Sequence, residues 1–144
     1  MHTHDGLTGI GNRRLFEQSL AREWGEGQRT NAPLSVLLVN VDHFSLLNDC
    51  IGYAAGDRCL KEIGAAIGGC LTGPGDVAAR IGGDEFACLL SDTGEQAARA
   101  VAEQIVTTLR AAAIAHPCSP LGPHITVTIG IATARPMKFH NGWD

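Results

Sequence analysis

The segment VAARIGGDEFACLL (residues 77–90) decides the fold class of this chain. Val77–Ile81 and Glu85–Leu90 are short apolar runs that predict two strands, and the Gly-Gly-Asp between them predicts a tight hairpin turn. Glycine suits such a turn because it accepts the positive φ angles that hairpin turns need. A hairpin among several helical patterns excludes a wholly parallel sheet. We therefore expect an α/β (α+β) fold, with a mainly antiparallel central sheet flanked by helices on both faces.

The sequence on either side supplies the other elements of this sheet. Leu34–Val41 (LSVLLVNV) is almost continuously apolar, which predicts a central strand buried on both faces. The alternation in Ile125–Ile131 predicts another strand. Helical spacing and capping residues predict a helix over Asn12–Trp24 capped by Asn12, a polar loop over Gly25–Pro33, a helical turn over His43–Asp49, a helix over Ala54–Leu71, and a helix from a capping box at Thr93–Gln96 to about Ala113.

Length and composition limit the classes of protein to which the chain can belong. Its 144 residues suit a single domain, and 44% hydrophobic with 18% charged residues is enough apolar sequence for a core. The net charge is −4 and no stretch of Lys and Arg forms a basic stripe, which argues against a nucleic acid as partner. No apolar run reaches membrane-spanning length, and the N-terminus lacks a signal-peptide pattern. We expect a cytoplasmic domain without membrane contact.

The cysteines and histidines carry no metal-binding pattern. The five cysteines are odd in number and contain no C-x-x-C pair, so we interpret them as small apolar core residues of a reduced, cytosolic protein. They are Cys50, Cys59, Cys70, Cys88 and Cys118. The six histidines are scattered, and we expect no metal site built on them.

Two clusters of carboxyl and amide groups follow apolar strands. The first covers residues 40–44 (NVDHF), and the second is the Gly-Gly-Asp-Glu of residues 82–85. If their strands are neighbours, an acid at the hairpin tip meets the strand end, and such oxygen ligands suit Mg²⁺ with a phosphate substrate. The N–H groups of residues 43–45 open a short helix, a position that favours phosphate oxygens.

Each of these features also has a purely structural interpretation. Gly-Gly-Asp can be only a turn, Asn48-Asp49 can punctuate a helix, and Asp57 can stabilise the first turn of its helix. Asp42 can be a solvated residue at a strand end. From spacing alone both interpretations stay open: the sequence predicts an α/β domain, and phosphate binding is one of the two interpretations of its polar clusters.

Four motifs stand in order along the chain: residues 5–14 (DGLTGIGNRR), 40–57, 80–86 and 125–132. They resemble those of the GGDEF family, the catalytic domain of diguanylate cyclases. Residues 5–14 resemble its D-x-L-T-x-L-x-N-R-R entry, and residues 40–57 resemble its D-x-D-x-F-K-x-x-N-D-x-x-G-H-x-x-G-D block, with the departures given below. Residues 80–86 (RIGGDEF) match the sequence that names the family, and residues 125–132 resemble its V-T-x-S-x-G-x-A strand. The resemblance makes residues 1–144 a single GGDEF domain, with motifs over about 5–134 and an atypical tail over 135–144.

The resemblance implies a nucleotidyl-cyclase-like fold that condenses two GTP molecules into cyclic di-GMP and releases pyrophosphate. It implies a homodimer with one GTP per subunit, Mg²⁺ or Mn²⁺ as cofactor, and a sensor domain on the N-terminal side. By position in the motifs, it assigns the guanine contacts to Asn48 and Asp57, further substrate contacts to Phe44, Gly82 and Gly83, the metal ligands to Asn40, the Val41 carbonyl and Asp84, and the catalytic acids to Asp84 and Glu85.

The chain departs from the family pattern at positions that matter for activity. The first metal-binding aspartate of the family falls on Asn40, which keeps an oxygen and loses the charge. The lysine after the phenylalanine falls on Ser45, the histidine of the G-H pair is Tyr53, and residues 137–144 (MKFHNGWD) do not match the cationic helix that follows in the family. A second function therefore stays open: a degenerate, non-catalytic GGDEF module that binds GTP or a partner domain as a regulator.

Overall fold

A computed structural model describes residues 2–137 of the chain. Its helices and strands are, in chain order, β1 (Gly11–Asn12), α1 (Arg13–Thr30), β2 (Leu34–Val41), α2 (Phe44–Ile51), α3 (Tyr53–Gly69), β3 (Val77–Arg80), β4 (Glu85–Leu90), α4 (Glu95–Ala112) and β5 (Val127–Ala134).

The five strands form one sheet in the order β1-β3-β4-β2-β5. Only β1 and β3 run parallel, while the β3–β4, β4–β2 and β2–β5 pairs are antiparallel. The β3–β4 pair is the predicted hairpin, with Arg80 opposite Phe86 in the register. The predicted fold class is therefore confirmed: a mainly antiparallel sheet with β2 in an interior position.

Alternation along the strands divides the apolar residues between the two faces of the sheet. On β4, Phe86, Cys88 and Leu90 belong to the larger core, which also contains α2, α3 and α4. Ala87 and Leu89 belong to the smaller core on the opposite face, where Phe16 and Leu20 of α1 pack. Helices therefore cover both faces, three on one side and α1 on the other.

Helix α1 is longer than the sequence pattern predicts. Asn12 caps it as expected, accepting a hydrogen bond from the Leu15 N–H. The helix then continues to Thr30, so the predicted loop over Gly25–Pro33 is wrong for its first six residues. Gly27 sits in the helix for a packing reason, because a Cβ there would lie 2.8 Å from Cγ of Pro136. The helix ends at Asn31, whose φ of 61° places it in the left-handed region.

Strand β2 has the predicted bounds but is not buried on both faces. Leu37, Val39 and Val41 are buried in the larger core, whereas Leu38 is 42% exposed on the opposite face. The apolar run over-predicts burial because it does not reveal how much of that face α1 covers. Strand β5 begins at Val127 instead of Ile125; Ile125 is buried beside it and donates its N–H to the Ile114 carbonyl.

Two local predictions about turns and caps are wrong. Gly94 is the N-cap of α4, and the Thr93 hydroxyl donates to the Ser91 carbonyl instead of forming a capping box. In the hairpin turn, neither Gly82 nor Gly83 has a positive φ. Gly82 instead meets a spatial need, since a Cβ there would lie 3.2 Å from Cβ of Glu85.

The interpretation of the cysteines holds for three of the five. Cys59, Cys70 and Cys88 are buried thiols, and burial raises the pKa of Cys88 to about 12, so this thiol stays protonated and inert. Cys50 and Cys118, however, form a disulfide with a Cα–Cα distance of 6.4 Å. The prediction failed because the two cysteines are 68 residues apart and only folding brings them together.

The remaining expectations concern the tail and the membrane. Residues 138–144, most of the atypical tail, lie outside the described residues. Within residues 2–137, no helix has the length and apolar character needed to cross a membrane.

Candidate functional site

The end of β2 and the tip of the β3–β4 hairpin lie side by side, as the sequence analysis anticipates for neighbouring strands. Asn40 is paired with Glu85 in the register, and the Val41 N–H donates to the Asp84 carbonyl at 3.1 Å. Asn40 is exposed, and Asp84 and Glu85 are half-buried. One edge of the sheet therefore presents an amide and two carboxylates close together, next to an accessible surface.

Arg80 supports the hairpin tip and is itself paired with Asp5 of the first motif. Arg80 donates from Nε and Nη2 to the Gly83 carbonyl, at 3.0 and 2.8 Å, and its Nη1 lies 3.2 Å from the Asp5 carboxylate. Asp5 also accepts hydrogen bonds from the N–H and hydroxyl of Thr8. Sequence reasoning missed this role for Asp5, Thr8 and Arg80, although all three stand in the quoted motifs.

Helix α2 begins beside this edge with N–H groups that have no hydrogen-bond partner among residues 2–137. Its N-cap, His43, has a φ of 55°, and the first bond of the helix runs from the Leu47 N–H to the His43 carbonyl. The N–H groups of residues 44–46 thus precede the helical ladder, and with the positive end of the helix dipole they favour an anion. The Phe44 side chain is buried in the core, so only its backbone is available for the predicted substrate contact.

Asn48 packs against α3 at Gly56, the residue before Asp57. The Asn48 Oδ1 atom is buried and has no hydrogen-bond partner among residues 2–137. It lies against Gly56, where a Cβ would stand 1.9 Å from it. Asp57, the next residue, is exposed. A buried acceptor without a partner is costly, so a ligand that turned the Asn48 amide outward and donated to it, beside the exposed Asp57, would relieve that cost.

Comparison with known proteins agrees with this geometry. Residues 2–142 match the family model described as "Diguanylate cyclase, GGDEF domain". The chain belongs to the GGDEF family. As a GGDEF domain it is 32% identical, over 97% of its length, to the probable diguanylate cyclase DgcC of Escherichia coli, of which it spans 37%.

Two further relatives show that the chain is similar to parts of proteins with different names. The structure of the diguanylate cyclase SiaD of Pseudomonas aeruginosa, in complex with its activator SiaC, superposes with a TM-score of 0.82 at 32% identity, covering 94% of this chain and 51% of SiaD. The cyclic di-GMP phosphodiesterase PdeB of Shewanella oneidensis is 40% identical over 71% of this chain, which matches 11% of PdeB. The GGDEF domain thus resembles parts of longer proteins whose named activities differ.

The donor set of this GGDEF domain fits a hard cation, with one charge fewer than the family pattern. The Asp84 carboxylate, the Asn40 amide oxygen and the Val41 carbonyl are oxygen donors of the kind Mg²⁺ accepts. The Asp42 carboxylate is not free to supply the missing negative charge to a cation, because its two oxygens accept hydrogen bonds from the Thr126 and Thr128 hydroxyls at 2.7 and 2.6 Å. Residues 2–137 contain no group of three or more His, Cys, Asp or Glu side chains arranged for a metal.

We expect replacement of Asp5 by Asn to destabilise the domain in a pH-dependent way. Burial opposes ionisation of Asp5, but the Thr8 hydrogen bonds and the charge of Arg80 outweigh it and lower its pKa. The ionised form therefore stabilises the fold above the ordinary aspartate pKa of about 3.9. Urea unfolding at pH 7 should show Asp5→Asn less stable by about 1–3 kcal/mol. That deficit should shrink as the pH falls through the lowered folded-state pKa.

The matched control for this variant is Glu17→Gln, which removes the partner of Arg13 in an exposed ion pair on α1. Exposed pairs contribute roughly 0–1 kcal/mol, so this variant should change stability little. Equal losses in the two variants at pH 7 would contradict a special role for Asp5 beneath the hairpin.

Proposed function

We propose that this GGDEF domain is a diguanylate cyclase that condenses two GTP molecules into cyclic di-GMP and releases pyrophosphate. The observation that supports the proposal best is the intact Gly-Gly-Asp-Glu tip beside the end of β2, with the start of α2 adjacent. Membership of the family and the likeness to DgcC support the same reaction class. The proposed site of action is the cytoplasm, where GTP is available.

In the proposed reaction the 3′-hydroxyl oxygen of one GTP attacks the α-phosphorus of the other. The bond from that phosphorus to the oxygen bridging to the β-phosphate breaks, pyrophosphate leaves, and the hydroxyl proton passes to a base. Asp84 is the proposed base at the hairpin tip, and Glu85 is the second acid beside it. Gly82 and Gly83 leave room for the phosphates to approach the backbone, and the unpaired N–H groups at the start of α2 hold phosphate oxygens.

Asn40, the Val41 carbonyl and Asp84 would hold Mg²⁺ or Mn²⁺. Such a cation, when bound, neutralises charge that develops on the phosphate oxygens. Asn48 and Asp57 would hold the guanine, since its N1–H and 2-amino groups donate and the amide oxygen and carboxylate accept.

Ring closure requires this step twice, with two α-phosphates and two hydroxyl groups in opposite orientation. Each chain presents one hairpin tip, so the proposed active species is a homodimer in which two sites face each other. The chain spans only 37% of DgcC and 51% of SiaD. We therefore also propose that the full protein carries a sensor domain on the N-terminal side of this one.

A second candidate is a non-catalytic GGDEF domain that binds GTP or a partner domain as a regulator. Two observations favour it: Asn40 and Ser45 remove one negative and one positive charge from the site, and a chain segment 40% identical to this one lies in PdeB, a protein named for the opposite activity. The two candidates share a nucleotide site and differ in whether product forms.

Incubation of the purified protein with GTP and Mg²⁺ or Mn²⁺ separates the candidates. Chromatography with mass spectrometry should detect cyclic di-GMP and pyrophosphate, and Asp84→Ala should abolish both. Glu103→Ala, which removes an exposed carboxylate on α4, serves as the matched control and should leave product formation unchanged. GTP binding without product would favour the regulator, and absence of both binding and product would contradict the cyclase and leave only a regulator that binds a partner domain.

A further inference from the structure

The loop between α4 and β5 (residues 113–126, here called the clamp loop) contacts both ends of α2. At the start of the helix, His116 Nε2 lies 2.9 Å from the His43 carbonyl. Near the other end, Cys118 is joined to Cys50 by the disulfide. The eight-residue helix between these contacts carries Asn48 and the unpaired N–H groups of the candidate site.

His116 is placed to hold the first turn of α2. It is 1% exposed, and its Nδ1 accepts a hydrogen bond from the Cys118 N–H at 3.3 Å. Because Nδ1 accepts, the ring proton lies on Nε2, which then donates to the His43 carbonyl. That same carbonyl accepts the first helical bond from Leu47. His116 therefore fixes the residue at which α2 begins.

The clamp loop has an anchor of its own, so it can restrain α2. Ile114 and Ile125 at its two ends are buried in the larger core and joined by a 2.7 Å hydrogen bond. The His116 N–H donates to the Pro123 carbonyl at 2.8 Å and closes the loop on itself. The loop is thus attached to the core at both of its ends and closed on itself, and the helix is attached to the loop.

The disulfide is the accessible part of this arrangement. Cys50 is exposed and Cys118 is half-buried, whereas the other three cysteines are buried. Disulfides are rare in reducing compartments, and those found there are usually transient and redox-sensing. A dithiol reductant can attack the bond: one thiolate forms a mixed disulfide and the second releases it. The protein gains two thiols, and the reductant becomes a disulfide.

We propose that the clamp loop positions α2 for the nucleotide, with His116 as a positioning residue and Cys50–Cys118 as a thiol-sensitive latch. Reduction removes the covalent link near the C-terminal end of α2 and leaves the His116 hydrogen bond at its start. The C-terminal half of α2, which carries Asn48, then moves more freely, and nucleotide affinity falls. This inference depends on the proposed function, because it takes the candidate site on α2 as a nucleotide site.

Hydrogen exchange and calorimetry on the whole chain, oxidised or reduced with dithiothreitol, test the proposal. Reduction should speed amide exchange in residues 44–51 and leave β2 and β4 unchanged. It should also weaken binding of a non-reacting GTP analogue by about fivefold or more, the lower range of typical couplings between sites. Cys50→Ser should bind like the reduced protein and ignore the reductant, whereas Cys70→Ala should keep the response.

Variants of His116 test its role separately from stability. His116→Ala should weaken binding of the analogue, and His116→Gln, whose Nε2 can still donate to the His43 carbonyl, should restore most of it. A role in stability alone would shift the unfolding temperature without changing affinity measured well below that temperature.

Two results would overturn the proposal: exchange in α2 that does not change on reduction, or faster exchange with unchanged affinity for the analogue. If neither redox state binds the analogue, the proposed function fails, and the exchange experiment alone then decides whether the clamp exists.

Discussion

Replacement of Asn40 by Asp should tighten Mg²⁺ binding and raise cyclic di-GMP formation at least tenfold. The change adds one negative charge at nearly constant shape, opposite Glu85 in the register and beside the hairpin tip that carries Asp84. In the parent, the charge of a divalent cation is balanced by Asp84 and the substrate phosphates. A cation held in this way is less well placed to polarise the α-phosphate.

The size of the effect follows from the cost of losing one charged contact to the transition state. Comparable electrostatic deletions cost about 2–4 kcal/mol, which corresponds to roughly two to three decades in rate. Asp42 is not a free substitute for the missing charge, since both of its oxygens are held by threonine hydroxyls. Tenfold is therefore a conservative lower bound on the expected gain.

Gln96→Glu is the matched control, because it adds the same charge to an exposed position on α4 and changes shape equally little. Metal affinity is measured by titration in the presence of a GTP analogue, and product by chromatography. If the Asn40→Asp variant binds metal no better and makes no more product than the control, Asn40 is not the residue that limits catalysis. Ser45→Lys would then be the next variant to test.

GTP should bind more tightly than ATP by about one to two decades in affinity. Guanine offers donors at N1–H and the 2-amino group to the unpaired Asn48 Oδ1 and to Asp57. Adenine presents an acceptor at N1, so a carboxylate would face a lone pair. Each polar group left unpaired costs about 1–3 kcal/mol. Calorimetry with both nucleotides measures the difference in affinity. Equal affinities would contradict the assignment of the guanine contacts to Asn48 and Asp57.

Gly56→Ala provides a geometric test of the same site. The added Cβ would lie 1.9 Å from Asn48 Oδ1, so the amide must move, and the preference for GTP should largely disappear. Gly69→Ala on the same helix is the control, because a Cβ there meets nothing within 4 Å. If both variants keep the parent's preference for GTP over ATP, Asn48 does not contribute to recognition of the guanine base.

The sequence by itself determined the parts of this protein that depend on local pattern. The hairpin over residues 77–90, the bounds of β2 and the Asn12 cap follow from apolar periodicity and capping chemistry. The meeting of Asn40 with Glu85 was predicted only on the condition that their strands are neighbours, and the tertiary structure supplied that pairing. Local rules failed where glycine serves packing, as at Gly27, and where a hydroxyl found another partner, as at Thr93.

The tertiary structure alone decided which distant residues touch. His116 meets the His43 carbonyl across 73 residues, Arg80 meets Asp5 across 75, and Cys50 is bonded to Cys118 across 68. The exposed face of Leu38 and the buried, unpaired oxygen of Asn48 are likewise absent from any pattern of residue types. Such contacts arise because helices and loops pack on a common sheet, and that packing depends on the summed burial of the whole core rather than on neighbours in the chain.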